Sequence, residues 1–445
     1  MLPGQVALPG DPLWDEQTRL GWTRSVDQRP IAVVTIREEK DVAAAVGWAA
    51  EHGLSVSAQP FGHGATTALN GTVILRTPAL DGISIDTVAR TARVGAGVSW
   101  GDLLTALSKH GLAALAGSST GPSVVGYTLG GGLSWFGRSH GLAAHSVLSF
   151  DIVDATGARR VVTAGCDPDL FWALRGGGGD FAIVLSMEIA LFPAAHLYGG
   201  RMLWPVEMAF PVLHAFRDIT ENAPDELTLW AHFLQFPPIP EVPEPLRGGS
   251  FISVDVAYLG AAADGDALLA PLNEIPAKLV HTLGMMSIAD LGTILAEPTD
   301  PTVTTEMSGL LSSLDDDAIE SLITLAGKGS GSQLVGVQLR HLGGAFTRAT
   351  EADGPSGAVT EPYSLFAIGV PFSPEGFVDA EISFARLTSA LADNLSGRTF
   401  FNMLSADANP GRAFSPAALQ RLQTIKQIVD PNGVLVSNRP VLRAH

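Results

Sequence analysis

The composition describes an acidic, globular chain. Its 445 residues, 46% of them hydrophobic, favour two domains over a single core. The net charge of −18 argues against nucleic acid and anionic membranes as partners, and a single cysteine excludes an internal disulfide framework and a CxxC metal site.

The N-terminal segment and the hydropathy favour a cytoplasmic protein. Residues 1–11 lack a positively charged region followed by an apolar one, so we expect no standard secretion signal. No uncharged run of about 18 apolar residues occurs, so we expect no membrane span.

The first part of the chain alternates strand and helix signals. Residues 31–36 predict a buried strand, and Thr35 followed by Glu38 predicts a capping box that opens a helix. Apolar residues at helical spacing continue to Gly53, and a second short strand is expected over 54–58. This pattern indicates an α/β unit. Further strands are expected at 73–75, 83–87 and 92–98, a helix at 101–109, and Gly-rich loops at 117–132 and 176–179.

After about residue 196 long strand-like runs dominate. They cover Leu227–Phe236, Phe251–Leu259, Ser332–Leu342 and Tyr363–Phe372. In the third run Val335, Val337 and Leu339 alternate with Gly336, Gln338 and Arg340, which is the period of a half-buried strand. Helices are expected at 315–327, with the acidic start Asp315–Asp317, and at 415–429. The pattern predicts an antiparallel sheet with helices on one face and partly polar residues on the other.

Three glycine-rich motifs carry the chemical signal. They are AQPFGHG at Ala58–Gly64, GPSVVGYTLGGG at Gly121–Gly132 and DLFWALRGGGGDFAIV at Asp169–Val184. Small residues after a strand let backbone N–H groups approach phosphate oxygens closely. None of the three is a GxGxxG dinucleotide fingerprint, and no GxxxxGK[ST] motif occurs.

Together these motifs resemble the berberine-bridge-enzyme-like flavoproteins of the vanillyl-alcohol-oxidase/p-cresol-methylhydroxylase superfamily. The resemblance extends to the segments at 29–54, 130–147, 341–346 and 421–441. It implies an α+β, two-domain FAD-binding fold of the vanillyl-alcohol-oxidase type with an antiparallel-sheet substrate domain. The expected divisions are an FAD-binding domain at 1–195, the substrate domain at 196–400 and a C-terminal return to the FAD-binding domain at 401–445.

The resemblance also implies a set of cofactor residues. His63 matches the histidine that relatives attach to the 8α-methyl group of the flavin, so covalently bound FAD is expected. The pyrophosphate loop of relatives matches Gln59, Pro60, Phe61, Gly62 and Gly64. Their second flavin loop matches Ser118, Ser119, Pro122, Ser123, Gly126 and Tyr127. An adenine contact matches Val184, and an asparagine near the flavin ring matches Asn402.

The chain departs from the family pattern in the same loops. Ser119 stands where many relatives have a second flavin-linking cysteine, so a single covalent link is expected. Cys166 is expected to be a small buried filler. Gln59 replaces the usual arginine of the pyrophosphate loop, which removes one charge-assisted phosphate contact. Pro122 occupies the position that gates oxygen access in relatives, and this leaves oxygen reactivity open.

The catalytic base has no family equivalent here. The segment 400–403 lacks the tyrosine of relatives, and Arg348 stands where plant members have a glutamate. The polar candidates are Asp255, Tyr127, His232, Gln338 and Tyr363. We rank Asp255 first, because burial over a flavin would raise the pKa of a carboxylate into the range of a general base. Tyr127, on the flavin loop, ranks second.

The resemblance favours an FAD-dependent oxidase or dehydrogenase that takes hydride from a small organic substrate in bacterial secondary metabolism. O₂ is one expected electron acceptor, and either a monomer or a homodimer is expected. Three alternatives stay open at this point. The flavin could oxygenate or rearrange its substrate, FAD could serve only as the scaffold of a redox-neutral cyclase, or the protein could bind a ligand without catalysis.

Overall fold

The structure is a computed structural model that describes residues 5–12, 14, 21–238, 240, 242, 244–405 and 408–442. Within these residues the strands form four sheets. The first is a four-stranded sheet in the order β1-β2-β4-β3. Its strands are Val6–Ala7 (β1), Ala32–Thr35 (β2), Val56–Ala58 (β3) and Val73–Arg76 (β4).

Helix Glu39–Glu51 (α1) connects β2 and β3, which both run parallel to β4, so the predicted strand–helix–strand unit is confirmed. The predicted capping box is wrong. Thr35 is still paired with Arg76 as the last residue of β2. The helix begins after Glu38, whose backbone N–H donates to the Asp41 carboxylate at 3.2 Å.

The second sheet has five antiparallel strands in the order β5-β6-β10-β8-β9. They are Ile83–Asp86 (β5), Thr91–Gly95 (β6), Val147–Val153 (β8), Arg159–Val162 (β9) and Ile183–Ala190 (β10). A separate two-stranded sheet pairs Leu112–Ala113 (β7) with Phe192–Pro193 (β11). The helices of this region are Trp100–Ser108 (α2), Val124–Leu129 (α3), Gly137–His140 (α4) and Pro168–Leu174 (α5).

The fourth sheet, called the roof sheet below, has eight antiparallel strands. Their order is β15-β12-β14-β13-β18-β19-β17, with β16 also paired to β12. They are Leu197–Pro205 (β12), Leu227–Gln235 (β13), Ser250–Leu259 (β14), Val280–His281 (β15), Gly284–Met285 (β16), Thr305–Leu311 (β17), Leu334–His341 (β18) and Tyr363–Gly369 (β19). The predicted antiparallel sheet is thus confirmed, although β12 and β17 were not foreseen.

The remaining helices lie in the region of the roof sheet and in the C-terminal segment. They are Ala209–Asn222 (α6), Ala262–Leu268 (α7), Ala270–Asn273 (α8), Asp316–Ala326 (α9), Ala345–Arg348 (α10), Pro374–Ala390 (α11) and Pro416–Val429 (α12). Short 3₁₀ helices lie at Thr67–Leu69, Ala143–Ser146, Val206–Met208, Ile288–Thr293, Glu351–Asp353, Phe401–Met403 and Pro410–Arg412. As expected, Asp315 caps α9, accepting from the Ala318 N–H at 2.9 Å.

The roof sheet is buried on both faces. One face packs into a hydrophobic cluster with α6, α9 and α11. The opposite face packs on the N-terminal part of the chain, where Trp230 of β13 stacks on Trp135 with ring centroids 3.8 Å apart. Gln338 and Arg340 of β18 are therefore buried, and the prediction of a half-buried strand is wrong. The N-terminal part of the chain covers the polar face of the sheet. Strand alternation shows which residues share a face, but not whether a second layer covers that face.

The C-terminal segment returns to the first sheet. The Val56 N–H of β3 donates to the Val434 carbonyl at 2.7 Å, and the Val436 N–H donates to the Val56 carbonyl at 3.0 Å. This return places residues 437–439 beside the loop that follows β3. The domain divisions after residues 195 and 400 stay predictions. Within the described residues, no helix combines the length and apolar character that a membrane crossing requires.

Candidate functional site

A cavity lies where the loops of the N-terminal part meet the roof sheet and the C-terminal segment. Its walls come from seven parts of the chain: the end of β3 and the loop after it, Ala96, the loop and helix at 122–130, the glycines before β10 with the start of that strand, the start of β17, and two C-terminal segments. The residues that line it are Ser57, Ala58, Gln59, Pro60, Phe61, Gly62, His63, Gly64, Ala96, Pro122, Ser123, Val125, Gly126, Tyr127, Leu129, Gly130, Gly178, Gly179, Ala182, Ile183, Val184, Glu306, Phe401, Asn402, Ser437, Asn438 and Arg439.

His63 lies in this cavity as an imidazole without hydrogen bonds. Its ring stacks on Trp22 with centroids 4.7 Å apart and planes inclined by 10°. Neither ring nitrogen has a hydrogen-bond partner among the described residues. Gly121 lies beside it, and a Cβ there would come within 3.2 Å of His63 Nε2. Burial lowers the pKa of His63 to about 4, so the ring is neutral at physiological pH and keeps a free lone pair.

The side chain of Gln59 is engaged within the protein. Its Nε2 donates to Gln28 at 2.8 Å, and its Oε1 accepts from Asn438 Nδ2 at 3.0 Å. Gln59 therefore contributes mainly its position in the loop to the cavity wall. The cation that lines the cavity is Arg439, which donates to the carbonyls of Leu404 at 2.7 Å and Gly64 at 3.2 Å. Sequence reasoning missed Arg439, although it lies within the C-terminal segment on which the resemblance rests.

The second predicted loop lines the cavity only in part. Pro122, Ser123, Gly126 and Tyr127 are in its wall, whereas Ser118 and Ser119 are not. Ser123 caps α3, donating to the Ala96 carbonyl at 3.1 Å and accepting from the Gly126 N–H at 3.3 Å. The Ser119 hydroxyl accepts a long hydrogen bond from the Gly121 N–H at 3.4 Å. Ser119 thus lies behind the wall, close to the glycine that borders His63.

Asn402 and Val184 both line the cavity. Asn402 belongs to the 3₁₀ helix Phe401–Met403, and its buried Oδ1 has no hydrogen-bond partner among the described residues. Gly130 makes this approach feasible, because a Cβ there would lie 2.9 Å from Asn402 Cβ. Val184 of β10 is buried at the cavity.

Asp255, the first-ranked base, lies on the roof-sheet face that turns toward the N-terminal part but does not line the cavity. Its side chain is fully buried in an ion pair with Arg201, with Nε–Oδ1 and Nη2–Oδ2 distances of 2.5 and 3.3 Å. Ser253 adds a hydrogen bond at 3.3 Å. Burial raises the pKa of Asp255, and Arg201 opposes this rise. Its role as the base stays a prediction.

The other polar candidates differ in position. Tyr127 lines the cavity, but its hydroxyl donates to the Leu133 carbonyl at 2.6 Å. His232 and Gln338 are on the polar roof face, joined by a 3.2 Å contact between Gln338 Nε2 and His232 Nδ1. Tyr363 has the opposite orientation, since it packs in the helix-side cluster and its hydroxyl bonds Thr220 at 2.6 Å. Three candidates therefore share the cavity side with Asp255, and Tyr363 does not.

Glu306 at the start of β17 is the carboxylate that sequence reasoning missed. Among the described residues that line the cavity it is the sole acid. Burial raises the pKa of Glu306, while Arg439, Thr304 and Arg340 oppose this rise. The polar–apolar alternation of 306–311 was a signal for the strand, since Glu306 and Ser308 are on one face and Met307 and Gly309 on the other.

The prediction for Cys166 is wrong. The thiol is exposed, in the turn that precedes α5, and it does not line the cavity. The turn is closed by the Cys166 N–H, which donates to the Thr163 carbonyl at 3.2 Å. A loop of this kind runs over the surface, so a small apolar residue in it need not be buried.

Comparisons with known proteins show a matching domain and a matching fold. A family model described as an FAD binding domain matches residues 30–163. With 99% of this chain and 97% of the other aligned, the fold matches the berberine-bridge-enzyme-like protein 1 of Physcomitrella patens with a TM-score of 0.86 at 19% identity. The chain has the fold of the berberine-bridge-enzyme-like proteins. Its fold also matches 6-hydroxy-D-nicotine oxidase of Arthrobacter nicotinovorans with a TM-score of 0.81 at 23% identity, over 98% and 97% of the two chains.

Sequence relatives match this chain over part of their length. An FAD-linked oxidoreductase of Aspergillus fumigatus is 32% identical over 63% of this chain and 59% of its own. The (R)-6-hydroxynicotine oxidase of Paenarthrobacter nicotinovorans is 33% identical over 46% of this chain and 45% of its own. An FAD-dependent monooxygenase of Fusarium proliferatum is 32% identical over 44% of this chain and 39% of its own. The chain thus spans between about two fifths and three fifths of the length of these relatives.

The residues in the cavity fit an FAD. Buried polar atoms without partners are costly unless a ligand satisfies them, and His63 and Asn402 supply such atoms in one cavity. Arg439 places a cation beside the loop at 59–64, where an anionic pyrophosphate would be held. Gly178 and Gly179 leave one wall free of side chains, which suits the close approach of a flat ring system.

Proposed function

We propose that this protein is an FAD-dependent oxidoreductase that takes hydride from a small organic molecule, and that its FAD is bound covalently through His63 alone. The observation that carries the proposal is the cavity in which the two unpaired nitrogens of His63 lie together with Asn402 and Arg439. The relatives named as oxidases and FAD-linked oxidoreductases support the same class of reaction.

The state of His63 supports the covalent link. Forming a C–N bond requires a neutral imidazole with an unengaged nitrogen, and burial lowers the pKa of His63 to about 4. The Trp22 stack fixes the ring plane, and Gly121 leaves room beside Nε2. Ser119 offers no thiol, and Cys166 is exposed outside the cavity, so one link is proposed.

In this proposal the chain's own residues bind and orient. Bound FAD supplies a two-electron acceptor for hydride. Arg439 and the backbone of the 59–64 loop hold its anionic part, and Asn402 offers an amide to its ring. The polar face of the roof sheet covers the cavity and keeps bulk water from the reacting carbon. O₂ is the proposed acceptor that returns the flavin to its oxidised state.

Flavin-dependent oxygenation is the second candidate. It is favoured by the match to a monooxygenase of Fusarium proliferatum, which covers 44% of this chain. Incorporation of ¹⁸O from labelled O₂ into the product separates it from the oxidase function, in which the labelled oxygen leaves as peroxide.

The test of the cofactor assignment is acid precipitation of the purified protein. We expect flavin to stay with the denatured wild-type chain and to be released from His63→Ala. His52→Ala is the matched control, because His52 also stacks on a tryptophan, Trp48, but lies exposed at the end of α1. Covalent flavin in His63→Ala, or none in the wild type, would show the attachment site to be wrong.

A further inference from the structure

Glu306 and Asp255 both lie on the polar face of the roof sheet, but they differ in whether an ion pair engages the carboxylate. Asp255 is bound by Arg201 through both carboxylate oxygens. Glu306 has one long hydrogen bond, from Thr304 Oγ1 at 3.5 Å, and no ion pair among the described residues. The side chain of Glu306 is exposed and lines the cavity, while the protein atoms around it still desolvate the carboxylate. A carboxylate in this position can meet a bound molecule.

The strand that carries Glu306 is anchored beside Asn402. Two residues along the same face of β17, the Ser308 hydroxyl bonds Thr399 Oγ1 at 2.7 Å and donates to the Met403 carbonyl at 2.8 Å. Arg412 donates to the Ser308 carbonyl at 3.2 Å. These bonds join β17 to the segment that carries Asn402. Glu306 and Asn402 therefore reach the cavity from two segments that are hydrogen-bonded to each other.

Three charged side chains act on the Glu306 carboxylate. The cations Arg439 and Arg340 lower its pKa, and the carboxylate of Glu297 raises it. Arg340 is held in place by Gln338 Oε1, at 3.0 Å from Nε and 2.8 Å from Nη2, and its guanidinium lies over Trp230. Burial raises the pKa of Glu306 in spite of the two arginines, which suits a group that must take up a proton at neutral pH.

The geometry points to Glu306 as the proton acceptor for an alcohol or amine substrate whose O–H or N–H is on the carbon that loses hydride. The inference rests on the proposed function, which assigns the hydride to the bound FAD. The C–H bond breaks and its electron pair leaves with the hydride. The O–H or N–H bond breaks, its proton goes to a Glu306 carboxylate oxygen, and its electron pair forms the C=O or C=N bond.

Two variants and one control test this assignment in the purified, FAD-containing protein. Glu306→Gln keeps the shape and removes the base, and Glu306→Asp keeps a carboxylate. Glu297→Gln removes the nearby acid that does not line the cavity. Flavin content of each variant is measured first, because loss of FAD would test the cofactor proposal and not the role of Glu306.

The first readout needs no substrate. The visible absorbance of the oxidised flavin and the infrared carboxyl band are followed across a pH titration. We expect the wild type, Glu306→Asp and Glu297→Gln to show a carboxyl ionisation that has a raised pKa and also changes the flavin absorbance, and Glu306→Gln to lose it. The ionisation of Asp255, which does not line the cavity, should persist in all four proteins. A carboxyl step that still changes the flavin absorbance in Glu306→Gln would overturn the assignment.

The second readout is anaerobic flavin bleaching by benzyl alcohol, benzylamine and (R)-6-hydroxynicotine. With whichever probe reduces the wild type, we expect Glu306→Gln to be slower by about 10²–10⁴-fold and Glu306→Asp to recover part of the rate. An unchanged rate in Glu306→Gln would exclude Glu306 as the base while leaving the oxidoreductase proposal standing. If no probe bleaches the wild type, the titration decides.

Discussion

Two polar regions flank the C-terminal segment, and they differ in whether their polar atoms have partners. In the first, called the lysine cluster, Lys426 donates to the Asp180 carbonyl, to Asp430 Oδ2 and to the Leu435 carbonyl at 2.6–2.8 Å. Asp430 and Asp180 also accept backbone N–H groups at 2.6–2.8 Å. In the cavity, by contrast, His63 and Asn402 have polar atoms without partners among the described residues.

The difference separates structure from function. Buried polar groups that are fully bonded hold a fold together, and each of them is costly to remove. Groups left without partners lower stability, so a chain that keeps them has a use for them. The lysine cluster therefore fixes the course of the C-terminal segment, and the cavity that the same segment helps to close is where a ligand is expected.

The largest effect is expected in the lysine cluster. Lys426→Met leaves the buried carboxylates of Asp430 and Asp180 without their cation, and we expect the free energy of unfolding to fall by about 3–5 kcal/mol. Denaturant titration measures this loss. The control is Lys328→Met, since Lys328 pairs with Glu207 on the surface and should leave the midpoint unchanged. Equal midpoints for both variants would contradict a structural role for the cluster.

Asp255 is expected to behave as a structural group. Asp255→Asn leaves Arg201 without its buried counter-charge, and we expect a loss of about 1.5–3 kcal/mol in the free energy of unfolding. The rate of anaerobic flavin reduction should stay within a few-fold of the wild type, because Asp255 does not line the cavity. A drop of about 10²-fold with FAD retained would instead make Asp255 the base and remove the contrast with Glu306.

A pH-dependent effect is expected at His145, which has a partner outside the cavity. Its Nδ1 accepts from the Leu142 N–H at 3.3 Å, and burial, aided by Arg175, lowers its pKa from 6.5 to about 4. Between these values unfolding takes up a proton, so this contribution is complete above pH 6.5 and is lost as the pH falls through about 4.

The size of that contribution is about 1.4 kcal/mol per pH unit in this range. His145→Gln keeps an acceptor for the Leu142 N–H but cannot titrate. We therefore expect the variant to lose less stability than the wild type on acidification, as measured by denaturant midpoints at several pH values. Parallel curves for the two proteins would show that His145 does not carry the effect.

No effect on the cofactor is expected at Cys166. The thiol is exposed and outside the cavity, so Cys166→Ser should keep the flavin content of the wild type. Mass spectrometry of a tryptic digest should give a single flavin peptide, the one that contains His63. A second flavin peptide that carries Cys166 would refute the single link.

Much of the FAD-binding half could be predicted because its signals are local. The loop at 59–64 follows a strand, Gly62 has a positive φ that other residues rarely adopt, and the position of His63 within the motif can be read in a short window. The capping box at Thr35 failed because strand pairing with Arg76 holds Thr35 in β2, and this pairing is a contact between distant residues.

The roof sheet shows what the sequence by itself could not decide. Alternation determined that Asp255, Gln338 and Arg340 share one face, and composition determined that the sheet would be antiparallel and packed by helices. Which carboxylate lines the cavity depends on the pairing of β17 with β19 and on where Arg201 lies across from Asp255. Strand order and ion pairing join residues that are far apart in the chain, so the choice between Asp255 and Glu306 could be made only in three dimensions.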